Sequence, residues 1–181
     1  MTAPNTNTRK IRNASLILGW FSQALLLTLP VLIGIYWATA GEETLGIQWL
    51  GRSDVVRGLT SWHRLAGGIL MLLMAVPILW GIFRLWQLFR LFATGQLFVR
   101  SSVQTLRALA WALISFEVAS ILVQPLLAMV LTASNPVGER YIAIGVSSGS
   151  VMALVIGGVL RVLAWVMDEA RKLEEDLAGT V

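Results

Sequence analysis

The stretch LAGGILMLLMAVPILWGIF, Leu65–Phe83, carries no charged side chain and decides how the chain folds. A helix of about 20 apolar residues spans the hydrocarbon core of a bilayer, and only helices or closed barrels satisfy their backbone groups there. Three further stretches read the same way: Leu16–Ala40, Ala108–Leu131 and Ile142–Met167. Their lengths suit helices. The chain is therefore predicted to be all-α, a four-transmembrane-helix bundle forming a single membrane domain over residues 1–181. With their helical continuations the spans are expected at 14–40, 65–90, 108–131 and 142–167. A flexible N-terminus at 1–13, an outer loop at 41–62 and a cytoplasmic tail at 168–181 complete the expected organisation.

Composition fits this reading. Hydrophobic residues make up 56% of the chain and charged residues 13%, against about 25% charged in soluble domains. One soluble core of this size could not hide so much apolar surface, so the lipid bilayer is the first partner. The absence of cysteine excludes disulfides, thiolate metal sites and cysteine nucleophiles. The lone histidine, His63, cannot supply a multi-histidine metal site or a two-histidine haem site within one chain. The formal charge of +4 comes with no continuous basic stripe, so no direct nucleic-acid binding is expected. The first span is too long for a cleaved signal, and Ala38-Thr39-Ala40 is its one cleavage-like feature, so a retained anchor is expected.

The basic residues give a direction. Arg9, Lys10 and Arg12 precede the first span; Arg84, Arg90, Arg100 and Arg107 lie between the second and third; Arg161, Arg171 and Lys172 close the chain. The opposite side holds only Arg52, Arg57, Arg64 and Arg140 of the 14 basic residues. Basic residues collect on the cytoplasmic side, so both termini are predicted to be cytoplasmic. The outer loop mixes charged and apolar residues between Trp37, Trp49 and Trp62, which suits a segment lying along the membrane interface. A binding loop is the functional alternative.

Between the second and third spans, Arg84, Gln87, Arg90 and Thr94 recur at three- and four-residue steps and share one helical face. The second helix is expected to run past the hydrocarbon with its arginines snorkelling toward lipid phosphates. Gly95 is expected to end it, and Ser101 with Gln104 reads as a capping box opening the third helix.

The run Leu88-Phe89-Arg90-Leu91-Phe92-Ala93-Thr94-Gly95-Gln96-Leu97-Phe98, with Val103, Leu106-Arg107 and Trp111, resembles the signature of a bacterial membrane family catalogued as domain of unknown function 2975. The likeness extends to four spans and to a last helix ending as Leu163-Ala164-Trp165-Val166 before a charged tail. The chain departs at Val99, Ser102 and Ala110, where the family pattern has threonine, asparagine and glycine; serine still caps a helix. The resemblance implies an architecture and no reaction. Some members are similar to proteins encoded beside small helix-turn-helix repressors, which implies a membrane partner for a regulator.

Glu117 is the one carboxylate deep inside a predicted span, where a charge is costly and usually faces the protein interior. Ser120 and Gln124 follow on the same face, and Pro125 is expected to bend the helix. A proton- or cation-responsive site is one reading. The other has Glu117 protonated, or paired with Arg161 or Arg84, and holding helices together. Gly145, Gly149, Gly157 and Gly158 mark the fourth span, with Gly145 and Gly149 spaced as a small-xxx-small pair for close helix packing within the chain or in a homo-oligomer. His63, one helical turn before Gly67, is placed as in haem-binding membrane helices, although an interfacial histidine is the ordinary reading. The tail Asp168–Leu177 is charged and amphipathic, suited to a solvated helix end or to docking a cytoplasmic protein.

No nucleophile–base pair, phosphate-binding glycine loop, metal cluster or pair of catalytic carboxylates is visible. The sequence therefore predicts no enzyme, no catalytic residue, no metal and no cofactor. It predicts a bacterial inner-membrane protein working through protein contacts, with Arg84, Arg90, Arg100 and Arg107 as a cytoplasmic contact surface. The alternatives are a small transporter centred on Glu117, Ser120, Gln124 and Arg161, and a haem-binding redox subunit.

Overall fold

The computed structural model describes residues 6–94, 100–136, 138–142, 144–145 and 148–178. Its helices run in the order α1 (Thr6–Thr39), α2 (Glu42–Leu50), α3 (Ser61–Ala93), α4 (Arg100–Leu131) and α5 (Ser148–Ala178). No strand occurs among the described residues. The fold is all-α, and α1, α3, α4 and α5 are each long and apolar enough to cross a membrane. Only 11% to 22% of the most apolar window of each is buried inside the protein, so lipid is the solvent left for the remainder.

Several boundaries differ from the sequence expectation. α1 begins at Thr6, so residues 6–13 are helical rather than flexible. α3, at 33 residues, is about 50 Å long by its helical rise, well beyond the roughly 30 Å of a hydrocarbon core; this is the continuation expected from the arginine spacing. Its anticipated terminator, Gly95, lies outside the described residues. α4 is already helical at Arg100, which puts Ser101 inside the first turn instead of at the cap; the Ser101 carbonyl accepts the Thr105 hydroxyl at 2.8 Å. α5 begins at Ser148, six residues later than the apolar run, because the backbone before it is held by side chains: Thr132 Oγ1 accepts the Tyr141 N–H at 3.2 Å, and Gln124 Oε1 accepts that of Gly145 at 3.2 Å.

The helices form two compact units. The first comprises Met1–Leu26, Ile78–Ile114 and Met152–Val181. Small residues set its packing: Ala110, Ala112 and Ala164 are buried. A Cβ on Gly81 would press on the Ala112 methyl at 2.8 Å, and one on Gly157 would sit 3.1 Å from Ile114 Cγ1. Such close approaches replace the hydrophobic drive that lipid cannot supply. Arg107 of α4 pairs with Asp168 of α5 at 3.4 Å.

The second unit comprises Leu27–Pro77 and Ser115–Val151. Its core joins Trp37 and Ala40 of the α1 end, Leu45 of α2, Val56, and Leu127 and Leu131 of α4. α2 was expected as loop. Two glutamates in its first turn favour the positive helix end, and Gly51, left-handed at φ 71°, closes it with its N–H on the Ile47 carbonyl at 3.1 Å. Glu42 then ties the helix to the loop beyond it by accepting the Leu59 N–H at 2.7 Å.

Candidate functional site

In the second unit, the polar residues of the loops and of the first turn of α3 mostly hold backbone. His63 is 5% exposed. Thr60 stands just ahead of α3 and His63 is the third residue inside it, the spacing of a capping box. His63 Nδ1 accepts the Thr60 N–H at 3.1 Å, the role usually filled by glutamate or glutamine, which leaves the Nε2 proton facing Ser134 Oγ at 3.2 Å. Arg64 Nη1 donates to the carbonyls of Trp37, Ala38 and Ala40 at 3.1, 2.9 and 2.8 Å, capping the end of α1. Asn135 Nδ2 donates to the Val55 and Glu139 carbonyls at 2.7 and 3.1 Å. Among exposed groups, Arg57 meets Glu139 at 3.5 Å, and Arg52 meets Asp54 at 3.2 Å and the Tyr141 hydroxyl at 3.0 Å. The hydrogen bond between Arg52 and Asp54 lowers the carboxyl pKa and raises that of the guanidinium.

The intramembrane polar face is partly assembled. Glu117 is buried at 6% exposure, and Ser120 and Gln124 on the same face of α4 are half-buried. No hydrogen bond joins the three among the described residues. Gln124 instead anchors Gly145 in the segment before α5. Arg161 and Arg84, the partners expected for Glu117, have their recorded contacts within the first unit: Arg161 lies over the Trp111 ring at 5.6 Å, and Arg84 lies over Trp80 at 5.2 Å and donates to Gln87 Oε1 at 3.2 Å.

Of the four glycines marked for packing, Gly157 is buried against α4. A Cβ on Gly158 would meet nothing within 4 Å. Gly145 precedes α5, so it forms no one-helix pair with Gly149, which is exposed. A tighter glycine was missed by the sequence reading: Gly67 of α3 lies against the Trp37 ring, where a side chain would overlap it.

The basic segment belongs to the first unit. Arg84, Gln87, Arg90 and Leu91 of α3 and Thr94 just past its end, with Ser101, Gln104 and Thr105 of α4, line one pocket of about 410 Å³. Arg90 lies over Trp86 at 4.9 Å. The Arg107 guanidinium takes the ion pair with Asp168, and the Arg100 side chain lies outside the described residues. No group of three or more metal-ligating side chains occurs among the described residues.

With this arrangement in hand, the family described as "Protein of unknown function (DUF2975)" matches residues 32–181. The chain belongs to DUF2975. The match covers α2 to α5 and the end of α1, so the carbonyls bonded by Arg64 and Asn135 and the α3–α4 pocket all lie within the DUF2975 region. No curated protein and no solved structure matches this DUF2975 chain.

Proposed function

We propose that this DUF2975 chain is a non-enzymatic, multi-pass protein of the bacterial inner membrane that works by holding another protein, as a regulatory or accessory component. Both termini are cytoplasmic in this reading, on the strength of the basic residues around α3–α4 and at the two ends. The observation that carries it is the unbroken course of α5. Its apolar span, Ser148–Ala170, continues without interruption to Ala178, so the charged tail is a helical extension of a membrane anchor. A preformed helix loses little conformational freedom on docking, which favours a partner helix or groove. Arg84, Arg90 and Arg107 supply a basic surface in the same unit, and Arg100 adds charge in sequence. A second copy of the chain or a cytoplasmic regulator are the partners this surface suits.

The test is charge reversal at Glu169 and Lys172 in the tail, read by affinity purification in mild detergent from native membranes. A co-purifying protein should be lost; an unchanged set of partners would sink the proposal.

One observation favours a second reading, proton- or solute-coupled transport. Glu117 is a carboxylate buried in a helix apolar enough to span a membrane, and such residues commonly mark ion pathways. Glu117→Gln should abolish flux in reconstituted vesicles if the chain transports, and should leave partner retention unchanged if it does not. The haem reading fares less well, since iron ligation at His63 would have to displace either the Thr60 or the Ser134 bond. An absorption spectrum without a Soret band removes it.

A further inference from the structure

From the pocket between α3 and α4, we infer that the chain binds the phosphate of an anionic phospholipid headgroup at Arg84 and Arg90. Both guanidiniums line this pocket, Gln87, Ser101 and Gln104 add amide and hydroxyl groups, and none of the described lining residues is a carboxylate. Each arginine lies over a tryptophan, Arg84 over Trp80 and Arg90 over Trp86. Stacking against a ring fixes the guanidinium plane and leaves its N–H edge for a ligand.

Arg84 shows the unmet demand most directly. Its Nη1 is used on Gln87, but its Nε is buried and has no hydrogen-bond partner. A cation held in such a site with no carboxylate among the described lining residues is poorly compensated, and an anion in the pocket balances its charge. Arginine's planar fork matches two phosphate oxygens. Two cations without a lining carboxylate favour a headgroup of net negative charge over a zwitterionic one.

The adjoining surface favours a lipid over a free anion. A second cleft, about 320 Å³ between α1 and α3, shares Arg90 and Thr94 with the pocket. Its other walls are largely apolar, including Leu16, Trp20, Trp86 and Phe89. A charged head beside an apolar trough is the form of a phospholipid, with an acyl chain along α1 and α3 and the phosphate on α3 and α4.

The experiment uses the full chain in mild detergent, with native mass spectrometry and exchange against phosphatidylglycerol, phosphatidylcholine or inorganic phosphate. Phosphatidylglycerol should be retained preferentially, and Arg84→Gln with Arg90→Gln should weaken it about ten-fold or more. Gln104→Glu changes an exposed side chain, so folding should be preserved, yet it sets a carboxylate in the pocket and should weaken retention similarly. Arg57→Gln, in the second unit, should have no effect. Equal retention of the two lipids, or retention unaffected by Gln104→Glu, would overturn the inference. Inorganic phosphate binding without lipid retention would assign the pocket to a free anion and overturn the lipid source.

Discussion

Gly67 is the residue at which the smallest change should cost most. Trp37 is 2% exposed and its ring fills the place a Cβ on Gly67 would occupy. An indole in a core cannot swing aside as a lysine chain can, so overpacking is expected to cost about 1–3 kcal/mol. Gly67→Ala should therefore unfold at a clearly lower temperature or denaturant concentration than the wild type in a fixed detergent. Gly158→Ala is the matched control, since its Cβ would meet nothing within 4 Å. Both glycines lie in helices, so alanine's better helix propensity favours both substitutions equally. Equal stability of the two variants would show that the Trp37 contact does not govern the site. Neither the His63 bond nor the Gly67 contact was legible in sequence as such. His63 three residues after Thr60 has capping-box spacing, but histidine is an unusual occupant of that position. Gly67 beside Gly68 showed only that two side chains were missing, and what approaches them comes from α1, far away in the chain.

At the level of elements, apolar length identified α1, α3, α4 and α5, because hydropathy over a membrane-length window averages out local detail. It failed where detail decides. The apolar run from Ile142 reads as the start of a span, yet the N–H groups of the neighbouring Tyr141 and Gly145 are taken by Thr132 and Gln124, and the weak helix formers Gly145 and Ser147–Ser150 follow in sequence. α2 was hidden for the opposite reason, since its mixed charged and apolar residues average to loop-like hydropathy. Its signals were present in Glu42 and Glu43 at the start and Gly51 just past the end. α2 rests on Leu45, whose side chain is fully buried. Leu45→Ala is expected to cost about 2–5 kcal/mol and to detach α2 before the rest of the second unit loosens. Hydrogen exchange should then rise over residues 42–50 while the amides of α4 stay protected; uniform acceleration would show that α2 is no separate element.

For the whole molecule, the family and the all-α, multi-span class were readable from sequence, because lipid imposes a strong and simple pattern on both. The α3–α4 pocket was readable only in part. Arg84, Gln87, Arg90 and Thr94 announced one face through their spacing, but which α4 residues stand opposite depends on packing. Sidedness is open to direct measurement, because the chain has no cysteine of its own. Ser53→Cys and Thr94→Cys place one thiol each at exposed positions. With both termini cytoplasmic, an impermeant maleimide should label Ser53→Cys on intact spheroplasts and Thr94→Cys only after lysis. The reverse pattern would invert the orientation.

The Arg64 cap has a bearing on how the protein is made. The last carbonyls of α1 are completed by a side chain that belongs to α3, and so are translated some two dozen residues before their partner exists. A nascent α1 must keep that end wet, or sheltered by the insertion machinery, until α3 arrives. The first two long helices are thus coupled during biogenesis, and a chain arrested between them should be a ready substrate for membrane quality-control proteases.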